Sequence, residues 1–162
     1  MVKVNDNSAL FDDGSERGKI RNQAYRNQEI DYSGCRIGKC TPTDIDGIIE
    51  FENKLFIIFE LKYGATEIIG GQKKCLERIA DNSRKPFFVL RINHQTPATE
   101  SIDVGNCLVT SFYSNQNNKW NVPEKDITVK DKMDKLYTEY VNENYFEYEK
   151  AKQEIYEKYC KQ

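Results

Sequence analysis

The sequence predicts an α/β protein, a mixed sheet flanked by helices. Two runs of β-branched and aromatic residues, 43–51 and 54–63, lie either side of a short polar turn and read as a hairpin. Charged stretches with helical spacing at 16–28 and 71–82 alternate with apolar runs at 87–92 and 107–113. Strand patterns interleaved with helical ones imply a sheet covered by helices.

The elements follow in chain order. Residues 1–14 are polar and read as a loose arm. Ser15 is a natural N-cap for a helix over 16–28, with Glu16 in its first turn. The segment 32–38 suits a short strand. The second hairpin arm is apolar on both faces, as a central covered strand should be. Gly64 ends it, and Gly70-Gly71 opens a helix over 71–82 with Leu76, Ile79 and Ala80 inward. Pro86 resets the chain before the strand at 87–92. A polar loop at 94–105 precedes the strand at 107–113 and a short edge strand at 119–122.

From 129 to 160, Tyr137, Val141, Tyr145, Tyr148, Ala151, Ile155 and Tyr159 recur at spacings of three and four, giving a long C-terminal helical segment. A straight helix of that length would span ~45 Å against a domain width of ~30 Å. It must bend, break near Asn142 or Asn144, or project onto a partner protein or a second protomer as a homodimer. The expected organisation is an arm over 1–14, a core over 15–128 and a docking or dimerisation segment over 129–162.

Composition excludes several classes of function. At 162 residues the chain is the length of one domain. Its net charge of −2 disfavours a protein that coats nucleic acid, although local basic patches remain. No apolar run is long enough for a membrane span, and the first residues lack a signal-peptide core, so the expected location is the cytoplasm. Five cysteines without a Cys-x-x-Cys read as reduced thiols rather than a zinc site. With His94 as the only histidine, chemistry here must run on carboxylates, lysine or cysteine. The Lys- and Asn-rich composition suits an AT-rich genome or a phage or other mobile element.

The chemistry-bearing residues lie on the hairpin. Glu60 and Lys62 share one strand face by alternation, and Asp46 joins them if 46 pairs with 60, 48 with 58 and 50 with 56. That register leaves Glu52, Asn53 and Lys54 as a three-residue loop, with Asn53 free to take the left-handed conformation. Two readings of the cluster stand side by side. One is an exposed salt bridge. The other is a Mg²⁺ or Mn²⁺ site in which Asp46, Glu60 and the Leu61 carbonyl are ligands, with Lys62 positioning water and stabilising charge on phosphate oxygens. Asp44, two residues before Asp46, is an auxiliary acid. Both flanking helical stretches carry a local charge of about +3: Arg17, Lys19, Arg21 and Arg26 against Glu16 on the first, and Lys73, Lys74, Arg78, Arg84 and Lys85 against Glu77 and Asp81 on and just after the second. Each suits contact with backbone phosphates. Tyr63 and Arg91 are lesser candidates for DNA contact, and Trp120 reads as packing at a sheet edge.

T-D-I-D-G-I-I-E, thirteen residues between Asp46 and Glu60, F-E-L-K and a Gly-Gly-Gln helix together resemble the PD-(D/E)xK nuclease superfamily. Its members include restriction endonucleases and Holliday junction resolvases. The likeness spans roughly 15–113, and its specific part is 43–79. It implies a restriction-endonuclease-like αβββαβ core and a Mg²⁺-dependent DNA endonuclease, with a structure-selective, resolvase-like enzyme as one form of it. It also implies that Asp46 and Glu60 are metal ligands, Lys62 the catalytic lysine, Gln72 an orienting residue and Glu16 a helix-borne auxiliary acid. Ile45 stands where the motif name has proline, and Leu76 where RecB-type members have tyrosine. The alternatives are a catalytically silent nuclease-fold protein that binds nucleic acid or a partner, and an enzyme that cuts RNA.

Overall fold

A computed structural model of the protein describes residues 32–40, 42–68 and 70–142, together with Glu154. The chain divides into two compact units, Met1–Pro42 and Thr43–Gln162. The expected helix over 16–28, with Glu16, Arg17, Lys19, Arg21 and Arg26, lies outside the described residues. So does most of the C-terminal segment beyond Asn142.

In the first unit, Ser33–Cys35 form a single 3-10 turn instead of the expected strand, and Ile37 and Cys40 make an isolated bridge. The reason is local. Cys35 N–H bonds back to the Tyr32 carbonyl at 2.9 Å, and Ile37 and Cys40 satisfy each other at 3.0 Å. Backbone groups paired within a few residues are not available to a ladder.

Among its described residues up to Asn142, the second unit is a five-stranded mixed sheet with two helices. Its strands are β1 (Gly47–Phe51), β2 (Leu55–Tyr63), β3 (Phe87–His94), β4 (Leu108–Ser114) and β5 (Lys119–Asn121), hydrogen-bonded in that order. Helix α1 (Gly70–Asp81) connects β2 to β3, the one parallel pair. Parallel neighbours need such a crossover, while β1–β2 and β4–β5 close through short turns and β3–β4 through a longer loop that holds a 3-10 turn at Val104–Asn106. Helix α2 (Val129–Tyr140) follows β5.

The β1–β2 hairpin has the expected register, Ile48 opposite Ile58 and Glu50 opposite Phe56. Both Glu52 (φ 50°) and Asn53 (φ 54°) take left-handed conformations, and the Glu50 carboxylate accepts the Asn53 N–H. Pairing starts at Gly47, so Asp46 stands just before β1 instead of within it.

The sheet is covered on both sides. Leu55, Ile57, Phe88, Leu90, Ile92 and Val109 pack with Val129 and Leu136 of α2. On the opposite face Ile58, Val89 and Tyr113 pack with Ile68 and with Leu76 and Ala80 of α1. Strand β3 serves both layers, hence its unbroken apolar run Phe87–Leu90. Asn115 closes the α1 end of the second layer: its amide donates to the carbonyls of Ala80 (3.2 Å) and Lys85 (2.8 Å) and accepts Phe87 N–H (2.9 Å).

Of the residues expected inward on α1, Leu76 and Ala80 are buried but Ile79 is 39% exposed. Leu76 and Ala80 are four apart and share one narrow stripe, and Ile79 falls on its flank beside Cys75. Thr128 caps α2 by accepting Asp131 N–H at 3.1 Å and donating its hydroxyl to the Asp131 carboxylate at 2.8 Å. The helix ends at Tyr140, where Val141 and Asn142 N–H groups both close on the Tyr137 carbonyl, at 2.9 and 3.0 Å. Among the described residues no helix is long and apolar enough to cross a membrane.

Candidate active site

Four of the sequence-predicted residues meet on the α1 face of the sheet. Glu60 and Lys62 alternate with the core residue Ile58 on β2 and so project toward α1. Lys62 Nζ donates to Glu60 Oε1 at 2.6 Å and to Gln72 Oε1 at 3.3 Å. Gln72 reaches it because Gly70, at φ +60°, lets the chain turn abruptly into the first turn of α1. Asp46 arrives from the other side. Its Oδ2 accepts Leu61 N–H at 2.7 Å, filling the edge of β2 that β1 leaves open. By the alternation of backbone groups along a strand, the Leu61 carbonyl shares that edge with its N–H.

Glu60 is 1% exposed, and its Oε2 is buried without a hydrogen-bond partner among the described residues. Burial pushes its carboxyl above the ordinary carboxylate range. The Lys62 ammonium opposes this, while the Asp46 and Asp44 charges add to the rise. Among the described residues no three Asp, Glu, His or Cys side chains group as a metal cluster. The donor set is two carboxylates and a carbonyl. It fits a hard divalent cation that keeps several waters, and the orphaned Glu60 oxygen is the atom such a cation would satisfy.

The acid is held at a cost to the fold, which is measurable. Glu60→Gln keeps an oxygen for Lys62 to bond and removes the buried charge. The native carboxyl has a raised pKa, so the folded state holds its proton longer than the unfolded chain. Native stability therefore falls as pH rises through the window above the ordinary carboxylate range, and stays lower beyond it. At pH 7 in metal-free buffer the variant should be the more stable of the two, with the higher melting temperature. The gap should close in acid, where both states of the native protein hold the proton. Thermal unfolding at both pH values checks this, and a variant destabilised at pH 7 would contradict it.

The turn between Lys62 and Gln72 is held by residues whose role the sequence did not reveal. Arg91, directly opposite Glu60 on β3, is buried. It pairs with Glu67 at 2.6 Å and donates to the carbonyls of Thr66 (3.0 Å) and Ala65 (3.4 Å). It clamps the turn. Asn93, opposite Lys62, donates to the Gly64 carbonyl and accepts the Thr110 hydroxyl at 2.7 Å. A charged residue in the apolar run F-F-V-L-R-I-N was the available signal for Arg91. Tyr63 is exposed and stands edge-on to His94, 5.7 Å between ring centres.

The predicted basic residues of α1 diverge. Lys74 and Arg78 are exposed, four apart on one face. Lys73 turns instead toward β5, its ammonium 5.2 Å from the centre of the Trp120 ring. Trp120 packs on Tyr113 and donates its indole N–H to Glu77 at 2.7 Å. No protein-family model, curated protein or solved structure matches this chain, so the reading of the site rests on its own geometry.

Proposed function

We propose that this protein is a divalent-metal-dependent endonuclease of the PD-(D/E)xK type that hydrolyses phosphodiester bonds in DNA. The observation that carries the reading is the convergence of Asp46, Glu60, Lys62 and Gln72 at one end of the hairpin, with a buried Glu60 oxygen left unpaired. The order hairpin, crossover helix, parallel strand is in keeping with the core of that superfamily.

Asp46, Glu60 and the Leu61 carbonyl would hold Mg²⁺, or Mn²⁺ in its place, and the cation would supply Lewis acidity at the scissile phosphate. The rest falls to the side chains. Two acceptors, Glu60 and Gln72, fix the Lys62 ammonium, which leaves one of its three N–H groups for a phosphoryl oxygen. There it offsets the charge that grows as water oxygen bonds to phosphorus and the ester P–O bond breaks. The Gln72 amide N–H₂, unpartnered among the described residues, is available to orient that water. Asp46 bonds the β2 edge one residue before β1 begins, and Glu60 stands within β2, so the hairpin anchors both carboxylates.

The test is a cleavage panel of linear duplex, single strand, nicked circle, four-way junction and RNA, with Mg²⁺ or Mn²⁺ or with chelator. Metal-dependent cleavage of DNA, lost in Glu60→Ala, is the expected result. No cleavage of any substrate by protein shown calorimetrically to bind the cation would overturn it. That outcome would favour the silent-scaffold reading, for which the closed Lys62–Glu60 pair is the supporting observation. Cleavage of RNA alone would move the substrate to RNA.

A further inference from the structure

A second feature lies beside this site. A cavity of about 250 Å³ opens between α1 and strands β3 to β5, lined by Ile68, Lys73, Arg91, Ser111 and Trp120 among others. Its wall is continuous with the candidate site: Arg91 is the strand partner of Glu60, and Lys73 follows Gln72. A bulge in β4 places Thr110 opposite no residue of β3 and turns its hydroxyl onto Asn93, so the same bonds that hold the Lys62 turn also shape the cavity.

Its chemistry is that of an anion site with an apolar side. Glu77, four residues after Lys73, is at the spacing of a helical ion pair, but its carboxylate accepts the Trp120 indole N–H instead. Lys73 places its ammonium 5.2 Å from the centre of the Trp120 ring and makes no close ion pair among the described residues, while Glu77 holds the edge of the same ring. Arg91 is 9% exposed, and its Nε–H is buried with no partner. The Ser111 hydroxyl, directly across from Arg91, is likewise unpartnered among the described residues. The acid in the wall, Glu67, is already engaged by Arg91. Three donors, two of them cationic, thus sit beside Ile68 and the Trp120 ring.

We propose that this cavity is a subsite for a phosphate group of a nucleic-acid strand, with its adjoining nucleoside against Trp120 and Ile68, next to the bond cut at the Asp46–Glu60 centre. The inference rests on the nuclease reading for the identity of the strand, and on the cavity's own donors for the phosphate. Lys73 makes the phosphate contact and leaves the Trp120 face as the strand enters. Aromatic rings beside cations are how strands are held without sequence preference.

Trp120 is the single tryptophan of the chain, so its emission reports on this cavity alone. The full-length protein is titrated in chelator, where nothing is cut, with a short DNA single strand, and separately with thymidine monophosphate and inorganic phosphate. The strand should change Trp120 emission saturably, and the monophosphate should compete better than inorganic phosphate. Lys73→Met keeps the packing over the ring and removes the charge. It should weaken strand binding about eightfold at 0.1 M salt and lower the slope of log affinity against log salt by about 1. Ser111→Ala, a smaller change, should weaken the same binding with the slope unchanged, which keeps the test open if Lys73→Met fails to fold.

Strand binding with a silent Trp120, or with neither variant altering affinity, overturns the proposal. Inorganic phosphate binding as well as the monophosphate removes the nucleoside from it. The two readings fail separately. Cleavage with a silent Trp120 leaves the nuclease without this subsite, and a responsive Trp120 without cleavage leaves a strand-binding site on a protein that does not cut.

Discussion

Lys62→Ala is expected to lower the single-turnover rate of DNA cleavage by about 10²–10³-fold while leaving strand affinity within a few-fold of the native value. The split follows from where the ammonium sits. Lys62 is 20% exposed and held by Glu60 and Gln72, a short distance from the carboxylates that would hold the cation. A group there meets one phosphate, at which charge develops, whereas strand affinity is spread over many phosphates. Removing it also leaves Glu60 buried without its cation partner, and the carboxyl responds by holding its proton more tightly. The variant should therefore unfold more easily at pH 7 and recover toward the native value in acid. Lys62→Arg restores the charge, but its planar guanidinium cannot occupy the place of a compact ammonium between two acceptors, so rescue should be small. A Lys62→Ala protein cleaving within tenfold of native would remove Lys62 from the chemistry.

Leu76→Ala should be the most destabilising single change on α1, at about 2–5 kcal/mol. The helix is docked by only two buried side chains, Leu76 at 0% exposure and Ala80, against Ile58, Val89 and Tyr113. Deleting the larger leaves a cavity under the helix at its midpoint. The same helix carries Gln72 and Lys73, so a loosened α1 should lower cleavage as well as stability. Ile79→Ala is the control. Both residues are aliphatic and three apart, and their sequence pattern places both inward, but Ile79 is 39% exposed and should cost no more than about 0.5 kcal/mol. Denaturant unfolding of the two variants decides the matter, and equal losses would contradict the packing described here.

These cases show what could be read from the chain alone. The hairpin register was legible because alternation has a period of two and the Glu52-Asn53-Lys54 turn tolerates left-handed backbone. Once the register is known, Asp46, Glu60 and Lys62 must fall together, which is why the candidate site was visible before any coordinates. Helix α2 ends at Tyr140, within the span for which length alone required a bend, a break or a projection.

Other features were not legible. The segment at 32–38 has strand-like residues, yet bonds between near neighbours, Cys35 to Tyr32 and Ile37 to Cys40, take up its backbone groups. Ile79 matches the helical period, yet it lies on the flank of the Leu76–Ala80 stripe and stays exposed. Arg91 read as a lesser candidate for DNA contact. Its partners, Glu67 and two carbonyls, come from a turn about 25 residues earlier, and no local pattern encodes that meeting. The cavity beside the site depends on Glu77 choosing Trp120, 43 residues away, over Lys73 one turn back on its own helix. Local spacing therefore determined the elements and the carboxylate–lysine cluster of this protein. Tertiary packing decided which charges are engaged and which are left facing a ligand, because burial and long-range partners exist only once the sheet has formed.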